Sequence, residues 1–142
     1  MAVLCCQPLL GILHIFCGSV IICTNILSKR FHFIIFWLSL SFVVLGCFCI
    51  YNICNRSLFM KVFISVFSIN CSLIAGYIII HTIKAWNIDI WDLDAYKHWD
   101  YLTAQHLYME TQICSAITEI LLDISSSCVS YADSKQNKEI FL

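Results

Sequence analysis

The sequence predicts an all-α fold, a four-helix transmembrane bundle, and three observations predict it. The chain of 142 residues is 61% hydrophobic and only 12% charged, with a mean hydropathy of +0.85. Soluble domains carry roughly 25% charged and 45–50% apolar residues, and a globule this small cannot bury so large an apolar excess. The apolar residues also fall into four long stretches, each near or above the ~20 residues that cross a ~30 Å hydrocarbon core. Finally, the fourth stretch, 106–131, carries Glu119 and Asp123 in its middle. Four residues apart, they share one helical face. A carboxylate at the bilayer centre costs about 2.5–3.5 kcal/mol by insertion measurements, so the other three segments are expected to enclose that face. Residues 1–142 form a single tetraspan membrane domain.

The first span is about 9–27, LLGILHIFCGSVIICTNIL. MAVLCCQP before it has no charged side chain and no clear cleavage site, so it is expected to stay attached rather than leave as a signal peptide. Gly11, His14, Gly18 and Asn25 recur at three, four and seven residues. They make a stripe of small and polar groups suited to close helix packing. His14 could instead be a proton or ligand site, but packing is the commoner use of such a residue.

A short turn, Ser28-Lys29-Arg30, leads to the second span, about 31–50, where Ser39, Gly46 and Cys49 suit a packed face. The turn YNICNRS follows. Its Asn55-Arg56-Ser57 fits the glycosylation pattern, but lies too close to the membrane to serve readily as an acceptor. The third span is about 58–83. Ser65, Ser68, Ser72 and Gly76 form its small-residue packing stripe, with Asn70 on another side alongside Tyr77 and His81. Lys61 is near enough to the end to snorkel to the headgroups.

The long connection, 84–105, holds Trp86, Trp91, Trp99, Tyr96 and Tyr101 among four aspartates. Trp and Tyr favour the membrane interface, which points to a short amphipathic cover on the outer end of the bundle. The aspartate run lacks the glycine and closing Glu of an EF-hand loop, so a cation site there is disfavoured. In the fourth span Gln112, Ser115, Glu119, Asp123, Ser126 and Ser130 form one polar stripe. An interfacial helix could look similar, but this stripe has no Lys or Arg to hold headgroups, which favours spanning.

With ~1.5 Å rise per residue and antiparallel neighbours, depths can be compared. Asn70 and Glu119 both fall near the midplane, and His14 and Asp123 both fall in the half nearest the termini. The expected intramembrane polar core is therefore His14, Asn70, Glu119 and Asp123, paired as Asn70 with Glu119 and His14 with Asp123. A protonated Glu119 would donate a hydrogen bond and need no cation. Basic residues divide four against four between the two sides, so charge does not orient the chain.

Ten cysteines do not read as a disulfide scaffold, because most fall inside spans, where Cys acts as a small hydrophobe. None has convincing zinc spacing. Cys5, Cys6 and Cys54 flank the membrane and are candidates for palmitoylation. A net charge of −1 offers no basic field for nucleic acid. Nothing in the pattern asks for a cofactor, a metal or a catalytic set; serines, cysteines and histidines appear scattered, which argues against an enzyme. The expected partners are membrane lipid and either a second copy of the chain or another membrane protein. The leading function is a non-enzymatic subunit, adaptor or modulator of a receptor or channel complex acting through lateral helix packing. The alternative is an oligomeric cation or proton path lined by Glu119 and Asp123.

Leu10-Gly11-Ile12-Leu13-His14-Ile15-Phe16-Cys17-Gly18 resembles the L-G-x-x-Q-I-x-x-G pattern of the first span in the membrane-spanning four-domains subfamily A. This family includes the B-lymphocyte antigen and the beta chain of the high-affinity IgE receptor. His14 stands where the family usually has Gln. Phe36-Trp37 with Gly46 resembles its second span, though Leu38 replaces a glycine. Asn70, Ala75 and Gly76 are similar to its third, and Glu119 falls where its last span usually reads L-E. The resemblance implies cytoplasmic termini, an outer long loop, self-association, and a role as receptor subunit, signalling adaptor or modulator of cation flux. The plasma membrane is then expected over internal membranes. The outer-loop cysteines of many members are absent here, so a disulfide-held loop is not expected.

Overall fold

In a computed structural model the chain forms four α-helices: α1 (Ala2–Leu27), α2 (Phe33–Cys54), α3 (Leu58–Trp91) and α4 (Trp99–Ile140). The structure describes residues 2–28, 32–55, 57–91 and 99–140. Each helix contains a segment long and apolar enough to cross a membrane: Cys6–Leu27, Phe33–Cys54, Leu58–Asn87 and Ala104–Asp133. The architecture is that of an integral, multi-pass membrane protein, an all-α four-helix bundle.

Lipid dictates this choice. In hydrocarbon every backbone N–H and C=O needs an internal partner, and a helix provides it within one segment. Exposed hydroxyls follow the same logic. Ser19, Thr111, Thr118 and Ser125 each donate to the carbonyl one turn back, at 2.7–2.9 Å. A hydroxyl on the outer surface is thereby satisfied without water.

The buried positions repeat at three and four residues. On α3 they are Lys61, Ile64, Ser68, Cys71, Ala75, Ile78 and Thr82. On α4 they include Met109, Gln112, Ala116, Glu119, Asp123, Ser126 and Ser130. This 3.5-residue repeat is the seam of a bundle whose helices cross at a shallow angle. Around it the outer faces are bulky and apolar, with Phe16, Trp37, Phe59, Leu73 and Leu121 all more than half exposed.

Neighbours in the ring are α1/α2, α2/α3, α3/α4 and α4/α1. All four pairs run antiparallel. Gly11 lies against Gly46 and Gly18 against Ser39; Phe48 meets Phe63 and His32 meets His81. On the other side Lys61 reaches Asp133 and Trp86 meets His106.

The α1/α2 contact is the tightest. A Cβ on Gly11 would lie 2.8 Å from the Gly46 carbonyl oxygen, and one on Gly46 would lie 2.5 Å from that of Gly11. Only glycine lets these backbones come so close. At the far end of the same hairpin Asn25 ties the turn. Its Nδ2 donates to the His32 carbonyl at 2.9 Å, and the His32 N–H donates to its Oδ1 at 3.1 Å. Asn25 is 2% exposed, and the His32 carbonyl also accepts from the Phe36 N–H at 3.1 Å. Asn25→Ala is expected to cost about 1–3 kcal/mol, the usual penalty for buried groups left unpaired. Denaturant titration of the protein in detergent micelles checks this, with Asn25→Asp, which keeps one of the two bonds, falling between.

Several expectations are corrected. The connection 84–105 is not a flat cover over its described part: α3 continues to Trp91 and α4 begins at Trp99. Trp86 packs edge-on against His106, 5.1 Å between ring centres, and this contact pairs the two helical extensions. Tyr96 and the side chains of Trp91, Trp99 and Tyr101 lie outside the described residues. α1 also starts earlier than expected and carries Pro8 within it, at the loss of one backbone hydrogen bond.

Gly76 is not a packing residue within the bundle. Nothing lies within 4 Å of where its Cβ would be. In its place Cys71 and Ala75 carry the α3 seam, because Ser68 sets the inward face and the 3.5-residue repeat passes from it through those two. Ser65 is half-buried beside this face. Lys61 does not snorkel. It is 2% exposed and its Nζ sits 2.6 Å from Asp133 Oδ2, because α4 extends beyond the expected end of its span and presents a carboxylate at that depth.

Candidate functional site

The polar stripe of α4 faces α1 and α3 and forms a buried cluster. His14 enters from α1, between Gly11 and Gly18, which pack on α2. Its Nδ1 lies 2.5 Å from Glu119 Oε1 and its Nε2 lies 2.9 Å from Ser126 Oγ. Glu119 and Ser126 are seven residues apart, two turns on one face, so a single imidazole bridges them. Asp123 stands between, one turn from Glu119. It accepts a hydrogen bond from Ser72 Oγ of α3 at 3.1 Å on its Oδ2. His14 and Glu119 are fully buried and Asp123 is 1% exposed.

The cluster is not fully satisfied. Glu119 Oε2 and Asp123 Oδ1 have no hydrogen-bond partner among the described residues. One donor atom each from His14, Glu119 and Asp123 lie within 4.8 Å of one another. Unpaired carboxylate oxygens in an apolar interior are costly, and two buried carboxyls one helical turn apart favour a cation or a proton.

The predicted core residues therefore fare differently. His14, Glu119 and Asp123 come together, but with exchanged partners. His14 bonds Glu119 and Ser126 rather than Asp123. The offset between α1 and α4 is not set by any short turn, and it settles one helical turn from the depth-matched guess. Asn70 does not pair with Glu119. It is exposed on the outer face of α3, and its Nδ2 donates back to the Val66 carbonyl at 3.1 Å. Asn70 shares its depth with the acids, but the α3 seam runs through Ser68, Cys71 and Ala75, and Asn70 lies outside it.

The sequence reading missed Ser126 as a partner of His14 and Ser72 as a partner of Asp123, and it treated serine, histidine and acid as scattered. They converge in the order Ser126, His14, Glu119. This order matches a hydrolytic triad. Ser126 is 3% exposed and lies in mid-helix, where backbone N–H groups serve the helix rather than an oxyanion.

A second polar region lies at the opposite end, where Asn25, His32, His81, Gln105 and Gln112 line a small pocket. His32 and His81 meet edge to face, with ring centres 4.5 Å apart. Among the cysteines, Cys17, Cys49 and Cys71 are buried, whereas Cys6 and Cys54 are exposed at the end nearest the termini. The Cys5 side chain lies outside the described residues. No protein-family model, curated protein or solved structure matches the chain.

Proposed function

We propose that the protein is a non-enzymatic membrane subunit that associates with a second copy of itself through the outer face of α3. The observation that carries this reading is Asn70, a carboxamide exposed in mid-span among Val66, Leu73 and Tyr77. A side-chain amide facing lipid is costly. The donation to Val66 leaves the Asn70 oxygen without a donor among the described residues. A neighbouring copy presenting the same residue supplies that donor, and two-fold pairing makes the contact self-complementary. Gly76, at the edge of the same face, leaves open space for an approaching helix.

The resemblance to the membrane-spanning four-domains subfamily A fits this reading. With it we place the termini in the cytoplasm, the protein in the plasma membrane, and the assembled subunit beside a receptor or channel that it adapts or modulates. Cys6 and Cys54 are positioned for acylation at the membrane surface. A cation path through Glu119 and Asp123 is the lesser reading, since both acids are buried inside one bundle and conduction needs the helices to part towards both ends, whereas a resident ion needs an opening on one side alone.

Two differently tagged copies expressed together test the proposal. Wild-type copies are expected to capture one another from mild detergent. Asn70→Leu removes one interhelical hydrogen bond per partner, worth about 1–2 kcal/mol in model helices, and is expected to weaken capture roughly 5–30-fold. Asn70→Gln should restore much of it. Undiminished capture by Asn70→Leu would overturn the reading.

A further inference from the structure

The cluster in the bundle core can do more than hold helices together. We propose that His14, Glu119 and Asp123 form a binding site for one divalent transition-metal ion of the Zn²⁺ class.

Two independent observations point to a ligand. The first is convergence: donor atoms from α1 and α4 lie within 4.8 Å of one another in an enclosed interior. Ions of this class bind imidazole and carboxylate at about 2.0–2.2 Å, so donors on opposite sides stand at most about 4.4 Å apart. The longest edge must shorten slightly, while the His14 Nδ1–Glu119 Oε1 edge, 2.5 Å, must open to admit the ion between its two atoms. The second is the pair of orphaned oxygens. Glu119 Oε2 and Asp123 Oδ1 have no partner among the described residues, and both side chains are at least nine-tenths buried.

The surrounding contacts suit ligation. Metal-bound histidines present their other ring nitrogen to an oxygen, which fixes the tautomer. Ser126 Oγ stands 2.9 Å from His14 Nε2 and does this, leaving Nδ1 as the ligand. Ser72 donates to Asp123 Oδ2 and turns Oδ1 free. The ion takes the place of the proton shared between His14 and Glu119, and Glu119 then ligates through either oxygen.

Charge and donor type choose the ion. Two carboxylates and a neutral imidazole balance a charge of +2. Among the described residues no other cation is paired with them: the buried Lys61 is held by Asp133, ten residues or about 15 Å along α4. Imidazole disfavours Ca²⁺ and Mg²⁺, which take oxygen donors, and favours Zn²⁺, Co²⁺, Fe²⁺ or Mn²⁺.

Co²⁺ is the probe, because its spectrum reports its ligands. Full-length protein, purified in detergent and stripped with EDTA, is titrated with Co²⁺ and then challenged with Zn²⁺. One equivalent is expected to bind, with visible d–d bands and no thiolate charge-transfer band, and Zn²⁺ should displace it. Asp123→Asn keeps the acceptor for Ser72 and Glu119→Gln keeps the shape; each is expected to weaken binding 100-fold or more. Ser126→Ala, which removes only the orienting contact, should cost about 10-fold. Circular dichroism and gel filtration confirm that each variant is folded. A thiolate band would place the ion on cysteines and overturn the proposal. So would the absence of stoichiometric binding, which would leave a proton as the sole occupant, or equal affinity in folded Asp123→Asn and wild type.

Discussion

Gly46→Leu is expected to abolish the native bundle in detergent. A Cβ alone at position 46 would sit 2.5 Å from the Gly11 carbonyl oxygen and 2.6 Å from Ile15 Cγ1. The first is backbone and cannot rotate aside, so α1 and α2 must separate. Overpacking usually costs about 1–3 kcal/mol for added methylenes that find some room; here a whole side chain enters where none fits. The separation also draws His14, three residues from Gly11, away from α4. Gly46→Ala should already be measurably destabilised. Gly76→Ala is the control. Nothing lies within 4 Å of its Cβ, and alanine is favoured over glycine in a helix by about 1 kcal/mol, so this change should be neutral or stabilising. Gel-filtration profiles after heating separate the three, and a Gly46→Leu protein as heat-resistant as wild type would refute the packing account.

His14→Leu is expected to have the second largest effect. It removes the side chain that, among the described residues, bridges Glu119 and Ser126, and leaves Oε1 of a fully buried carboxyl without that partner. Breaking a buried pair from one side costs about 3–5 kcal/mol. Replacing both members by apolar residues avoids that loss, since position 119 then has no carboxyl to satisfy, and the Ser126 hydroxyl can turn to a carbonyl one turn back. The double change His14→Leu, Glu119→Leu should therefore be more stable than His14→Leu alone. Denaturant titration of the EDTA-stripped protein measures the pair. A double variant that is no more stable than the single would show that the imidazole acts by filling volume rather than by meeting the carboxyl.

How much of this the residues disclosed follows from what a linear pattern encodes. Span positions were legible because length and apolarity are local properties. The inward face of α4 was legible because its polar stripe breaks an apolar background, and that of α1 because its glycines do. The facing of α3 was not. It is apolar nearly all round, with serines on several sides, so periodicity offers no preferred direction, and depth alone placed Asn70 inward. The exchange of partners at His14 has a related cause. Short turns fix the register of α1 on α2, but α4 meets α1 only after the whole chain has been made. Lys61 was misjudged because its partner Asp133 lies beyond the apolar run that defined the fourth span.

The bridge between His14 and Glu119 joins residues 105 positions apart. At about 5–20 residues per second, synthesis of the fourth segment trails the first by roughly 5–20 s. During that interval the imidazole is already in the bilayer and its acid has not been translated. Biogenesis must therefore keep the nascent α1/α2 hairpin near the insertion machinery until the last helix arrives. A chain released before that point would carry an unmatched polar group in lipid, the feature by which quality control can tell an unfinished bundle from a completed one.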